Sequence, residues 1–210
     1  MSVKVYPLVL GPVQTSCYIV SNHERAVVVD PAANANQIIQ YLGMKKLKLE
    51  AIFLTHGHFD HIGAVNELVE KYQVPIYAHK KEKEYFEKSE VNLSPMIYEH
   101  LILNPDFEYR FVSDEESIEC LETKIKVFHV PGHTTGSLCY YFEEDEMVFT
   151  GDTLFKQSIG RTDFIYGNHE QLVTGIRRKL LTLPGQTLVY PGHGECTTIE
   201  EESKHNPFLA

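Results

Sequence analysis

The sequence predicts a layered α/β fold. Three observations carry that expectation. Short runs rich in β-branched and aromatic residues recur along the chain, segments of helical spacing fall between them, and histidine- and aspartate-bearing clusters sit just past the apolar runs. In the first half, "VKVYPLVL", "CYIVSN" and "AVVVD" read as strands broken by Gly-Pro and Asn-His turns. "NANQIIQYLGMKK" then places Ile38, Ile39, Leu42 and Met44 at helical spacing. "LEAIFLT" is a strand. "IGAVNELVEKY" is a helix with Val65, Leu68, Val69 and Tyr72 on one face, and "PIYAH" is a strand again. "KKEKEYFEKS" reads as a solvated helix with Tyr85 and Phe86 packed inward and its lysine–glutamate run facing water. The second half repeats the alternation. "SIECLETKIKVFHV" is a hairpin turning at Glu122-Thr123, and "SLCYYFEEDEMVFTGD" a second turning near Glu144-Asp145. "EQLVTGIRRKLLTL" is a helix and "QTLVYPG" a strand. No linker or repeat interrupts this order, so residues 1–210 read as one domain of two halves meeting at a shared site.

Bulk composition narrows the function classes. At 210 residues, 43% hydrophobic and 23% charged, the chain reads as a soluble globular protein. A formal net charge of -10 works against nucleic-acid binding, which needs clustered Lys and Arg. No stretch approaches the ~20 apolar residues of a membrane span, and the N-terminus lacks the pattern of a signal peptide. Cys17, Cys120, Cys139 and Cys196 are scattered with no C-x-x-C, as expected of free thiols in a cytoplasmic protein.

The chemistry concentrates in "FLTHGHFDHIGA". His56 and His58 follow a strand, and an i, i+2 spacing in extended chain points both rings to one side. Asp60 and His61 follow where a helix begins. Asp60 alone could be a helix cap, and one histidine alone a satisfied polar residue. Three imidazoles and a carboxylate in this order match what divalent metals need. The cluster is too small for two ions, and three later loops add candidates: His133 in "VPGHTTGS", Asp152 in "FTGDTLF" and His193 in "YPGHGE". Each lies past an apolar run and beside glycine. His23, His79, His100, His129, His169 and His205 have no such context.

With these motifs assembled, the chain resembles the metallo-β-lactamase superfamily: His-x-His-x-Asp-His, then His, Asp and His, in order along the chain. "GDTLFKQSIGRTDF", "LVYPGHGECTTI" and "NPFL" are most similar to its short glyoxalase II-like (hydroxyacylglutathione hydrolase-like) branch, over Val3 to the end, although "TTIEEE" departs from that branch's usual glycine after TTI. The resemblance implies a four-layer αββα sandwich, two sheets flanked by helices, with the site at the strand ends where the halves meet. It implies His56, His58 and His133 on one metal, Asp60, His61 and His193 on another, and Asp152 bridging them. Two divalent ions are expected, zinc foremost, with iron or manganese also suited to the mixed imidazole and carboxylate set. Two ions ~3.5–4 Å apart can hold a hydroxide between them and lower its pKa toward ~7; that hydroxide attacks a carbonyl, with Asp60 orienting it. Asp30 is the candidate acceptor behind a ligating histidine, with a turn residue before Pro31 as the alternative. Arg161 is a candidate contact for a substrate carboxylate, with an ion pair to Asp163 as the alternative.

The expected activity is metal-dependent hydrolysis of a small-molecule thioester. A thiolate leaves without acid help, and no general acid is evident. In full-length glyoxalase II proteins a basic C-terminal segment grips glutathione; the 17 residues after His193 are net acidic, so glutathione itself is not the expected thiol. The alternatives are a mononuclear-iron persulfide dioxygenase, against which the complete second ligand set argues, and hydrolysis of another ester or lactone. A zinc β-lactamase is disfavoured because that pattern lacks an aspartate at the position of Asp152. No nucleic-acid or membrane partner is expected, and the protein should be a monomer or small homo-oligomer.

Overall fold

The computed structural model describes residues 3–97 and 100–209. Six strands, β1 (Lys4–Leu10), β2 (Thr15–Asn22), β3 (Arg25–Val29), β4 (Lys48–Phe53), β5 (Ile76–Ala78) and β6 (Tyr109–Phe111), form one sheet in chain order. A second sheet runs β14–β13–β10–β9–β8–β7, built from β7 (Ser117–Cys120), β8 (Thr123–His129), β9 (Leu138–Phe142), β10 (Met147–Gly151), β13 (Leu188–Pro191) and β14 (Thr197–Thr198). Between β10 and β13 the chain makes a small ribbon, β11 (Leu154–Phe155) with β12 (Ser158–Ile159). The helices are α1 (Ala35–Lys45), α2 (Phe59–Ile62), α3 (Val65–Tyr72), α4 (Lys83–Glu87), α5 (Ser89–Asn92), α6 (His169–Gly175), which continues as a π-helical turn over Ile176–Leu180, and α7 (Ile199–His205).

Side-chain alternation explains the layers. Strand residues of even and odd number face opposite sides, and here both sides are covered, so β2, β3, β9 and β10 are buried almost throughout. Cys17, Ile19, Ala26 and Val28 pack beneath α1 and α3 with Ile38, Leu42, Val65 and Leu68. Tyr18, Val20, Val27 and Val29 face the other way and meet Leu138, Tyr140, Phe142 and Phe149 between the sheets. Cys139, Tyr141 and Val148 turn outward to Leu172, Ile176, Leu180 and Ile199 of the second helical layer. This is the expected αββα sandwich. Among the described residues no helix is long and apolar enough to cross a membrane.

Two local readings need correction, that of Met44 and that of the segment after His79. Met44 is 70% exposed, because it lies about 240° round the helix from the buried Ile38. The first hairpin of the second sheet turns at Leu121-Glu122, near the expected position: both have positive φ (55° and 60°), and Cys120 pairs with Thr123. The 80–88 segment starts as a 3₁₀ turn over Lys80–Glu82, and Glu82 is fully buried rather than solvated. The short strands β6, β11, β12 and β14 and helix α7 carry too little local pattern to be read from the sequence.

The two sheets are stitched together at the edge where the histidine loops emerge. Leu138 N–H donates to Thr55 O at 2.7 Å, and Ser16 N–H to Gly192 O at 2.7 Å. The buried Tyr140 hydroxyl reaches Leu54 O at 2.8 Å and Tyr77 O at 3.1 Å across the sandwich. Tyr140→Phe should therefore cost about 1–2 kcal/mol of unfolding free energy, since it leaves two enclosed carbonyls without that donor. Denaturant unfolding at unchanged m-value checks this; a variant as stable as the parent would show that water serves those carbonyls equally well.

Candidate metal centre

Every residue of the cluster follows the C-terminal end of a strand. His56, His58, Asp60 and His61 follow β4, His133 follows β8, Asp152 follows β10 and His193 follows β13. The fold thus brings both halves to one place, and all seven sequence-predicted residues meet there. His56 Nε2 lies 3.1 Å from His58 Nδ1, which lies 2.9 Å from His133 Nε2. Asp60 Oδ2 lies 3.4 Å from His61 Nε2 and 3.2 Å from His193 Nε2. Asp152 sits between the two sets: Oδ2 is 3.6 Å from both His133 Nε2 and His193 Nε2, and Oδ1 is 3.4 Å from His61 Nε2. His56–His58–His133 and Asp60–His61–His193 each converge closely enough to hold one ion.

The outward nitrogens explain why the inner ones converge. Asp30 Oδ2 accepts from His61 Nδ1 at 2.8 Å and from Thr55 Oγ1 at 2.6 Å, while Oδ1 accepts from Thr55 N–H at 2.8 Å. With its proton committed to Asp30, the Thr55 hydroxyl is left to accept from His56 Nδ1, 3.1 Å away. One carboxylate therefore orients two imidazoles, turning His56 Nε2 and His61 Nε2 toward the centre. Asp30 is also the turn residue of the alternative reading, with φ 48° just before Pro31. Asp30, His56 and His61 also form a group with metal-holding spacing, but Asp30's oxygens are taken by these three donors. His133 Nδ1 donates to Arg161 O at 2.8 Å. Arg161 thus serves the cluster through its carbonyl, while its guanidinium makes two 2.7 Å bonds to Asp163 and lies 4.1 Å from the Phe164 ring centroid. Asp60 makes no side-chain cap to α2 and instead accepts from Thr15 Oγ1 at 2.7 Å. Thr15, Thr55 and Glu82 carry no sequence signal of a site role; Thr15 and Thr55 are ordinary strand-end residues until the fold places them.

The electrostatics divide the two sets. Burial, reinforced by neighbouring imidazoles, holds His56 well below its ordinary pKa and lowers His58 to about 3; burial likewise lowers His133, against the pull of Asp152. These three rings are neutral at pH 7, as ligands must be. Burial opposes a charge on His61 and His193 too, but the carboxylates outweigh it: Asp60, Asp152 and Asp30 raise His61 well above the usual value, and Asp60 and Asp152 raise His193. Burial opposes ionisation of Asp60 and Asp152, yet the facing histidines hold both below the usual carboxylate range. Deeper in, burial pushes Glu82 up to about 7 against three hydrogen-bond donors.

These residues fit a pair of cations. His61 Nε2 and Asp152 Oδ1 are buried without a hydrogen-bond partner, and three imidazole nitrogens face one another at 2.9–3.1 Å. Gly192 keeps the cradle open: a Cβ there would lie 2.2 Å from Asp152 Oδ1 and 2.7 Å from His61 Cε1. Aromatic side chains pack beside the cluster: the buried Tyr85 and the partly exposed Phe164 each lie 5.7 Å from the His58 ring, and Phe155 lies 6.3 Å from that of His193.

A two-sheet sandwich with paired His/Asp sets at its strand ends defines a metal-dependent hydrolase architecture. The chain belongs to the metallo-beta-lactamase superfamily, whose family model matches residues 10–193. It is 39% identical over 200 residues to the probable metallo-hydrolase YqgX of Bacillus subtilis, covering 95% of this chain and 94% of that one. It is 36% identical over 214 residues to the hydroxyacylglutathione hydrolase GloC of Haemophilus influenzae, covering 100% and 98%. Among solved structures it matches BLEG-1 B3 metallo-beta-lactamase at TM-score 0.93 and 40% identity, covering 99% of this chain and 100% of that one. It matches TTHA1623 in a di-iron-bound form at TM-score 0.87 and 35% identity, covering 97% and 100%.

The two sets should differ in proton release on metal loading. The carboxylates facing His61 and His193 favour their protonated forms, so an incoming cation competes with a proton there, whereas burial favours the neutral forms of His56, His58 and His133. Affinity at the Asp60–His61–His193 set should therefore rise more steeply with pH than affinity at the other set. Calorimetry of stepwise zinc binding in buffers of different ionisation enthalpy measures this, and equal proton release at both steps would contradict it.

Proposed function

We propose that the protein is a dinuclear metal-dependent thioester hydrolase. His56, His58 and His133 hold one divalent ion, Asp60, His61 and His193 the other, and Asp152 bridges them. Zinc is the assigned metal; the likeness to a di-iron protein makes iron the main competitor. Such an ion pair supplies Lewis acidity and an activated water at neutral pH. The chain's own part is to hold seven donors in place, to keep Asp60 ionised beside the reacting space through Thr15 and the histidines, and to flank the site with the partly exposed Phe155 and Phe164. Asp60 is placed to orient an attacking water by accepting its hydrogen bond.

The observation that carries the thioester reading is the protonation of the carboxylates. Asp60 and Asp152 are held below the usual range by facing histidines. At the rim, Arg161 holds Asp163 at about 2 and Lys156 lowers Glu195. All four are ionised at neutral pH, so none can protonate a departing amine. A thiolate needs no such proton. The full-length likeness to a hydroxyacylglutathione hydrolase supports the same substrate class. The rim cations argue against a polyanionic thiol, because Arg161 and Lys156 are each already paired with a carboxylate.

The likeness to a B3 metallo-beta-lactamase makes β-lactams the necessary comparison. Thioesters should be cleaved with kcat/KM about 100- to 10,000-fold above matched amides, the factor general-acid help would supply, and β-lactams should be poor substrates. S-lactoylglutathione, a simple acyl thioester, its amide analogue, a lactone and a β-lactam, assayed side by side with zinc- and iron-loaded protein, check this. Faster β-lactam than thioester turnover would overturn the reading. Oxygen consumption with glutathione persulfide in the absence of thioesterase activity would replace it with a dioxygenase.

A further inference from the structure

Glu82 sits in a run of lysines and glutamates, yet it is only 1% exposed. Its carboxylate lies between the two loops that deliver histidines to the three-imidazole set. Oε2 accepts from Gly57 N–H at 2.6 Å, in the step between His56 and His58. Oε1 accepts from Gly136 N–H at 2.6 Å and from Thr134 Oγ1 at 2.8 Å, in the loop that carries His133. The donors are two backbone amides and a hydroxyl. A buried carboxylate is costly unless its oxygens are well served, and here the donors come from two segments 77 to 79 positions apart in sequence that must meet at one point.

The loops are shaped to this carboxylate. A methyl group on Gly136 would lie 2.7 Å from Glu82 Oε1 and 3.0 Å from His79 Nδ1. One on Gly57 would lie 2.5 Å from Tyr85 Cβ and 3.1 Å from Glu82 Oε2. The glycines of "HGH" and "TTGS" are therefore where the backbone closes onto the turn bearing Glu82. The other ligand set rests on different supports: Thr15 holds Asp60, and Asp30 holds His61.

We propose that Glu82 is a positioning residue for His56, His58 and His133, clasping the backbones of both loops so that His56 Nε2 and His133 Nε2 are held 3.1 Å and 2.9 Å from His58 Nδ1. It touches no reacting atom and acts through the loops alone. The proposal rests on reading those histidines as one metal site, and it requires a one-sided effect: loosening Glu82 weakens that site and leaves Asp60–His61–His193 as it was.

Glu82→Gln tests this, because the amide keeps the shape but turns an N–H toward groups that themselves donate. Cobalt(II) is titrated into the metal-free full chain and followed by proton NMR. The His133 Nδ1–H, bonded to Arg161 O, and the His61 Nδ1–H, bonded to Asp30, are buried and give separate hyperfine-shifted signals for the two sets. In Glu82→Gln, cobalt affinity read at His133 should fall about 10- to 100-fold, with the His61 signal titrating as in the parent. Glu202→Gln is the matched control. Glu202 is equally buried and accepts from Gln157 N–H, Thr197 Oγ1 and Asn206 Nδ2, away from both histidine loops. It should lower Tm and leave both cobalt affinities unchanged. If Glu82→Gln does not fold, Thr134→Val removes a single donor and should produce a smaller loss confined to the same set. An unchanged His133 titration, an equal loss at both sets, or an equal loss in Glu202→Gln would each overturn the proposal while leaving the metal site standing. A parent protein with no cobalt-shifted His133 signal would instead overturn the site reading, and the proposal with it.

Discussion

Three buried imidazoles converge, His56 Nε2 and His133 Nε2 each lying within 3.1 Å of His58 Nδ1, and the one proton His58 can offer there cannot serve both lone pairs at once. That constraint organises the rest of the structure. Each ring with a traced outer contact spends its outer nitrogen on a fixed acceptor: His56 on Thr55, His61 on Asp30 and His133 on the Arg161 carbonyl. Acceptors are fixed only where the backbone is, and Asp30 and Thr55 directly follow β3 and β4, whose last three residues are buried. The cost of preorganising the cluster is met by the sandwich: aromatic packing of Phe53, Tyr140, Phe142 and Phe149 between the sheets holds the two halves in register beneath it.

Function follows from the charge this arrangement leaves. In the proposed dinuclear site, neutral imidazoles and two ionised carboxylates would only partly neutralise a pair of divalent ions, which would leave net positive charge where a carbonyl oxygen and a departing thiolate gain negative charge. The surroundings do not compete for that charge. Arg161 and Lys156 are engaged by Asp163 and Glu195, and the groups nearest the entrance are aromatic.

What the sequence disclosed follows from how local each signal is. His56, His58, Asp60 and His61 stand out because four donors fall within six positions, and the αββα layers because apolar runs alternate with helical spacing. His133, Asp152 and His193 were legible as isolated Gly-flanked residues whose meaning came from the resemblance. Asp30 was half legible, since a turn aspartate before proline and an acceptor for His61 are the same residue here. Arg161 was noticed for its side chain, whereas its carbonyl does the orienting, and a carbonyl has no sequence signature. Glu82 was hidden because a buried carboxylate inside a lysine–glutamate run looks like solvated surface; only the tertiary approach of Gly57 and Gly136 distinguishes it. The short strands β6, β11, β12 and β14 escaped for the same reason, as their pairing is imposed by neighbours distant in sequence.

The account depends on two ions sharing one carboxylate. Elemental analysis of metal-replete protein together with X-ray absorption at the metal edge tests that directly. The account predicts close to two transition metals per chain with a metal–metal distance of about 3.5–4 Å, and in Asp152→Ala a longer or unresolved metal–metal vector. A stable content of one metal per chain, or two metals with no mutual scattering in the parent, would contradict it.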